Sequence, residues 1–368
     1  MTTNPGIYLI SPSSAADPDA VARGRQRLSD LGFTTSLDRT ALAVAQRFAG
    51  TDAERAASVA RALDQVHPVV MATRGGYGLT RILPMIDWTA VAASGKRFVG
   101  HSDFTAFNLA LLAQTGGVSY SGASLIADFG GEERDDLTEA LFGEVVRDEL
   151  EILSFESDDA DAVDCRGTLW GGNLATLCAL AGTPYMPDIH GGILFLEDVA
   201  EHPYRVERML TQLWHAGVLA RQHAIVLGEF SGYRLAPHDN GFDMPSVVQW
   251  LRDTVGVPVV TGLPYGHVAS KATLPVGVQA GLATEDGMAY LVLQEHDHDH
   301  EHDHEHDHDH EHDHDHEHDH DHGHGRHHAD GERHADGHHP HHDADCGCAS
   351  DLPSQSDHPA PKKTIGKP

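Results

Sequence analysis

The chain has 368 residues and a formal net charge of −31, with hydrophobic residues at 40%. So acidic a chain disfavours nucleic acid and anionic membrane surfaces as partners, and no apolar run approaches the ~20 residues of a membrane span. The start, MTTNPGIYLISPSSAADPD, lacks the basic region and apolar core of a secretory signal, and Cys165, Cys178, Cys346 and Cys348 make no disulfide framework, so a reduced cytoplasm is expected.

Length and composition together suggest two domains and a tail. GIYLIS reads as a strand, DAVARGRQRLSDLG as an amphipathic helix closed by Gly32, FTTSLD as a short strand and AERAASVARALDQV as a second helix. PVVMATRGG and KRFVGHS read as buried strands, and DFTAFNLALLAQTGG as a helix ended by glycine. This alternation predicts an α/β fold with a parallel sheet, whose sites lie at the carboxyl ends of strands. Residues 1–125 are therefore expected to form an N-terminal α/β domain. Residues 126–165, turn-rich and acidic around one helix, LTEALFGEVVRD, are expected to connect it to a smaller α/β domain over 166–294. That second domain opens with GTLWGGNLATLCALAGT. It continues with the strand ILFLED, the helix YRVERMLTQLWHAG, the strand AIVLGEF, a helix around SVVQWLRDTVG and the strand VPVVTGLPYG, and closes with a hairpin turning at Glu285-Asp286-Gly287.

Three stretches carry candidate chemistry. In FVGHSDFTAF, Ser102 falls in the tight connection between a strand and a helix, where a nucleophilic hydroxyl is exposed above the sheet and the first helical amides face a reacting carbonyl. The match to G-x-S-x-G is partial, because Phe104 stands at the last glycine, and Ser-Asp before a helix is also a routine N-cap. In ATRGGYGLTR, paired glycines at a strand end let backbone approach a ligand, supply an oxyanion-hole amide or cradle a phosphate; a plain tight turn is the alternative. The dinucleotide fingerprint and the P-loop lysine are both missing there. The third is a pair: Glu197 and Asp198 at the end of one strand, and His267 beside Gly266 just past another. Ser102, acid and His267 then follow in the order nucleophile, acid, base. Neighbouring side chains on a strand point to opposite faces, so only one of the two acids is expected to reach His267.

Taken in order, RGGYGLTRILPMIDW, GHSDFTAFNLAL, LWGGNLATLCALAGTPY, LFLEDVAEHPYRVERMLTQL and LPYGHVASKATLPVG resemble the LD-carboxypeptidase family of serine peptidases, which includes the microcin-immunity peptidases, over roughly residues 6 to 293. The resemblance implies a flavodoxin-like N-terminal domain, a smaller C-terminal domain, a site between them and a homodimer. It implies Ser102 as nucleophile, Glu197 as triad acid and His267 as base, with an oxyanion hole from the amides of Asp103 and of Gly76 or Gly75. It implies a muropeptide substrate, a murein tetrapeptide cut before its terminal D-alanine during cell-wall recycling, and no catalytic cofactor. An amide hydrolase acting on aminoacyl-nucleotide-like compounds is the alternative, and a metal-buffering protein with an inactive body is a second. A carboxylate-ended substrate needs a cationic or amide clamp, for which Arg74 and Asn173 are candidates; Trp170 either lines the pocket or packs. Arg205 and Arg208 read as structural partners of nearby acids.

Residues 295–368 differ in kind: they hold 23 of the 31 histidines and 21 acidic against 5 basic residues. In HDHDHEHDHEHDHDH, His296, His298, His300, His302, His304, His306 and their successors alternate with acids. Imidazole suits zinc, nickel and copper. With low hydrophobicity and no core, the segment is expected to be disordered, a metal sink and not a shaped catalytic site. Cys346 and Cys348 add soft ligands.

Overall fold

The computed structural model describes residues 4–293, which contain two sheets. The thirteen strands are β1 (Ile7–Ile10), β2 (Thr35–Leu37), β3 (Val69–Ala72), β4 (Arg97–Gly100), β5 (Ser119–Ser121), β6 (Ile152–Glu156), β7 (Asp164–Asn173), β8 (Ile193–Val199), β9 (Ala224–Ser231), β10 (Val259–Val260), β11 (Leu274–Val276), β12 (Gln279–Glu285) and β13 (Met288–Val292).

The first sheet has the order β11-β5-β4-β3-β1-β2. Its members pair in parallel apart from β11, which runs antiparallel to β5. The run β2-β1-β3-β4-β5 is the flavodoxin-like order, as expected, with the topological switch beside β1 and β3. All four residues of β1 and of β3 are buried, the mark of strands covered on both faces. The helix Pro18–Asp30 turns Val21, Gly24 and Leu28 inward at helical spacing and is capped by the Asp17 carboxylate. The helix Thr105–Thr115 behaves otherwise: every residue from Thr105 to Leu112 is buried. Its sequence, TAFNLALLAQT, has no polar face because it packs on the first sheet on one side and on β7 and the helix Leu174–Leu180 on the other. It ends at Gly116 in the left-handed conformation.

The second sheet has the order β10-β9-β8-β7-β12-β13-β6, parallel from β10 to β7 and antiparallel beyond. The closing hairpin is β12–β13, and its turn residues Asp286 (φ 49°) and Gly287 (φ 76°) give the double positive φ of a type I′ turn.

The expected elements differ from the structure in three places. The stretch 126–165 is more than a connection: Ile152–Glu156 forms the edge strand of the second sheet, its buried Leu153 and Phe155 alternating with exposed neighbours. VPVVTGLPYG is a strand only at Val259–Val260, because Gly262 adopts φ 82° and Pro264 follows. Beyond it, the chain crosses to the first sheet and enters it as β11. The segment 261–273, which carries His267, therefore runs from one sheet to the other.

Candidate active site

Ser102 follows the end of β4 and takes φ 63°, a left-handed conformation that costs a non-glycine residue about 1–3 kcal/mol. The surroundings hold it there. Phe104 lies across Gly100, so closely that a Cβ on Gly100 would come within 2.4 Å of its ring. The buried carboxylate of Asp103 accepts from Ser13 Oγ at 2.6 Å and from the Leu79 amide at 2.9 Å, tying this turn to the loops after β1 and β3. Burial raises the Asp103 pKa, and these two hydrogen bonds oppose it. Gly75 backs directly onto the serine: a Cβ there would sit 2.6 Å from Ser102 Cβ and 2.8 Å from the His101 carbonyl oxygen. Gly76, at φ 107°, packs against Ser14, whose Oγ accepts from the Tyr77 amide at 3.2 Å. The glycine-rich turn is thus pressed against Ser102, with its backbone where no side chain fits.

Glu197 lies near the carboxyl end of β8, fully buried, and its Oε2 is 2.7 Å from His267 Nδ1. A carboxylate accepts, so Nδ1 carries the shared proton and Nε2 presents its lone pair away from Glu197. Gly266 makes the approach possible: with φ 139°, it brings the backbone to where a Cβ would lie 3.4 Å from Glu197 Cβ. The His267 side chain is 25% exposed, so the imidazole is open to a ligand while the Glu197 carboxylate is not. Among the described residues no hydrogen bond joins Ser102 to His267; such bonds often tighten only when substrate arrives. The ring of His101, the neighbour of Ser102, stands 4.5 Å from the His267 ring, centroid to centroid.

Asp198 turns elsewhere. It accepts from the Ala175 amide at 2.8 Å, its own neighbour's amide, Val199, at 2.8 Å, and Asn173 Nδ2. A bulge between Leu196 and Asp198 breaks the strict alternation of β8, and both acids converge on that one amide nitrogen, each at 3.1 Å. Burial first, and then the Glu197 charge, push the Asp198 pKa up to about 6, against its hydrogen bonds.

Asn173 is therefore no substrate clamp. Both Nδ2 protons go to Glu197 and Asp198, while Oδ1 accepts from the Thr176 amide and hydroxyl, capping the helix Leu174–Leu180. Its amide donors and acceptor are all engaged, and the residue is buried. Trp170 does not line a pocket either: it is fully buried in the core, donating Nε1 to Gln222 Oε1 at 2.9 Å. Arg74 is exposed beside Gly75 and donates to the Ala15 carbonyl at 3.3 Å. Arg205 pairs with Glu201 one helical turn away. The tail histidines His296, His298, His300, His302, His304 and His306 lie outside the described residues.

Four contributors escaped sequence reasoning. His101 is 3% exposed, its Nε2 has no hydrogen-bond partner, and that nitrogen is 3.9 Å from Glu197 Oε1. Burial, reinforced by His267 and Lys271, holds its pKa well below the usual histidine value. Tyr265 packs edge-on against His101 and shares a 2.6 Å hydrogen bond with Ser121. Lys271, buried beside Asp128 at 2.8 Å, anchors the far end of the His267 segment, and Ser231 Oγ donates to the His267 carbonyl at 3.1 Å. The imidazole of His101, directly before Ser102 in GHSD, was the available signal.

Comparison with known proteins matches residues 7–122 to the LD-carboxypeptidase N-terminal domain and 166–282 to the LD-carboxypeptidase C-terminal domain. A Bacillus subtilis protein named a probable murein peptide carboxypeptidase is 30% identical over 290 residues, 77% of this chain and 91% of that one. The crystal structure of muramoyltetrapeptide carboxypeptidase from Oxalobacter formigenes is similar at 44% identity and a TM-score of 0.74, covering 78% of this chain and 97% of that one. The Microcin C7 self-immunity protein, in complex with aspartyl sulfamoyl adenosine, is similar at 25% identity and a TM-score of 0.73, covering 80% and 97%.

Proposed function

Because this chain belongs to the LD-carboxypeptidase family, we propose that it hydrolyses the L,D-peptide bond before the terminal D-alanine of murein tetrapeptides, through Ser102, His267 and Glu197. The observation that carries the reading is the 2.7 Å contact between His267 and a fully buried Glu197, in a chain that also holds Ser102 in a left-handed turn at a strand end. His267 Nε2 takes the proton of Ser102 Oγ as the oxygen attacks the peptide carbonyl. Glu197 fixes the ring's tautomer and stabilises the imidazolium that forms. The amide of Asp103, at the head of the turn, and one from the Gly75-Gly76 pair stabilise the oxyanion, each donor being worth about 2.7–4 kcal/mol in comparable sites. The imidazolium protonates the departing D-alanine nitrogen, and water, activated by the same histidine, releases the acyl group from Ser102.

The exposed guanidinium of Arg74, beside the glycine turn, suits the terminal carboxylate of such a substrate. The same proposal includes a cytoplasmic homodimer acting in peptidoglycan recycling and an acid–histidine segment that binds zinc, nickel or copper away from the chemical step. Turnover of murein tetrapeptide against an aminoacyl sulfamoyl nucleoside tests the substrate class. D-alanine release at least about tenfold more efficient than nucleoside release, a difference of about 1.4 kcal/mol in the barrier, supports the proposal. The reverse preference replaces it with the amide-hydrolase reading.

A further inference from the structure

We propose that His101, Glu197 and His267 form a binding site for a divalent first-row transition ion, zinc foremost, whose occupancy switches the hydrolase off. The inference rests on the function proposed above, and it adds a regulator acting on the same side chains.

One ligand atom from each of the three residues lies within 4.8 Å of the other two. Two imidazoles and a carboxylate are a ligand set that zinc takes in tetrahedral sites, at about 2.0–2.2 Å from each atom. Those bond lengths put ligand atoms about 3.3–3.5 Å apart, so closure needs movements on the order of 1 Å. His267 has room for that, being one-quarter exposed at its side chain and carried on a loop.

His101 supplies the second, independent observation. It is 97% removed from solvent, and its Nε2 is buried without a hydrogen-bond partner. Buried polar nitrogens are nearly always satisfied, and each exception calls for a partner of some kind. This one is directed at the catalytic acid, 3.9 Å from Glu197 Oε1. The catalytic steps do not use it: the Ser102 proton passes to His267, and Glu197 already has His267 and Asn173. A third ligand at that point turns an acid–base pair into a three-ligand site, with a fourth position left for water.

Occupancy is incompatible with turnover. Binding displaces the proton that His267 Nδ1 shares with Glu197; exchanged through solvent, a proton is carried on Nε2 instead, so the ring stays neutral and Nε2 has no lone pair left for the Ser102 proton. The imidazole then spends a lone pair on the ion, and the carboxylate no longer stabilises an imidazolium.

The test uses the full chain in a metal buffer that holds free zinc constant whatever the acid–histidine repeat takes up. D-alanine release is measured for wild type and for His101→Phe, which keeps a ring against Tyr265 and removes both nitrogens. His101→Asn serves as a second variant should the first fail to fold by circular dichroism. Each is referred to its own metal-free rate. Removing a first-sphere ligand weakens occupancy by at least about tenfold, so the zinc level giving half inhibition rises by that factor or more in the variants. Cobalt is the second readout. The wild-type minus variant spectrum, in which the identical repeats cancel, shows the visible absorption of one four-coordinate ion. Equal zinc sensitivity in wild type and variants overturns the proposal. So does a flat cobalt difference, or a cobalt difference without zinc-sensitive turnover. If metal-free wild type releases no D-alanine, the functional reading fails instead, and the cobalt difference still reports on the ion site.

Discussion

Asn173→Ala separates two roles for that residue, substrate clamp and internal brace. In the structure its Nδ2 is the one donor shared by two buried carboxylates, at 3.1 Å from each. Hydrogen bonds to charged groups contribute about 1.5–3 kcal/mol apiece, and the lost helix cap adds about 1 kcal/mol. Because the bonds interact, a total of about 3–5 kcal/mol of lost stability is expected, not the full sum. The loss has a pH signature. Asp198 already titrates near 6, above its unfolded value, so its ionised form is the one that folding disfavours. Without Asn173 that form is disfavoured further. The Asp198 share of the loss is therefore small while the carboxyl is protonated, and it grows as pH rises through about 6. Urea unfolding at pH 5 and pH 7.5 measures this, and steady-state D-alanine release alongside it separates kcat from KM. The brace predicts a larger loss of stability at pH 7.5 than at pH 5, with kcat reduced because Glu197 has lost a partner. Unchanged stability with KM raised alone would refute the reasoning and restore the clamp.

Gly75→Ala places a methyl 2.6 Å from Ser102 Cβ and 2.8 Å from a backbone carbonyl; since a displacement near 1 Å costs about a hundredfold, kcat/KM is expected to fall by about that factor. A variant within twofold of wild type would show that the turn relaxes freely. Asp38→Asn tests the ion pair between Asp38 and Arg61. Burial would raise the Asp38 pKa, but Arg61 and Thr40 together hold it at about 2, contributing about 2 kcal/mol. That stability is fully present above the unfolded carboxylate value and is lost as pH falls through about 2, so wild type weakens across that window and the variant does so less in acid titrations followed by circular dichroism. Lys271→Met leaves buried Asp128 without its ammonium, for an expected loss of about 3–5 kcal/mol in chemical unfolding; a loss below about 1 kcal/mol would count against its role as anchor of the His267 segment.

What was legible in the sequence was local. Strand-helix alternation over residues 7–115 carries most of the parallel sheet, because β1 and β3 are apolar runs and the helix Pro18–Asp30 shows its own period. The turn at Ser102 announces itself through Gly100 before it and the apolar helix after it. What stayed hidden depends on residues far apart in the chain meeting in space. Leu274–Val276 looks like the end of the second half, yet it pairs with Ser119–Ser121 in the first sheet, and no local pattern encodes that exchange. Asn173 offered an amide to a carboxylate-ended substrate, and Trp170 sits beside paired glycines that suggested a pocket wall. The glycines instead admit neighbours: a Cβ on Gly172 would come within 2.5 Å of Thr105 Oγ1, at the start of the helix Thr105–Thr115. Strand alternation said that one acid would reach His267, and the bulge in β8 then let both acids share Asn173. His101 drew no attention as a residue of its own, since its role is defined by Glu197 and His267, almost a hundred residues or more away.

The central claim is that Ser102 performs the hydrolysis with His267 and Glu197. Its most direct test is D-alanine release from murein tetrapeptide by the full chain in the presence of a strong chelator, for wild type and for Ser102→Ala verified as folded by its melting curve. The account predicts sustained turnover of wild type under chelation and loss of at least about a thousandfold in the variant. Turnover that survives in Ser102→Ala, or that chelator abolishes in wild type, would contradict it.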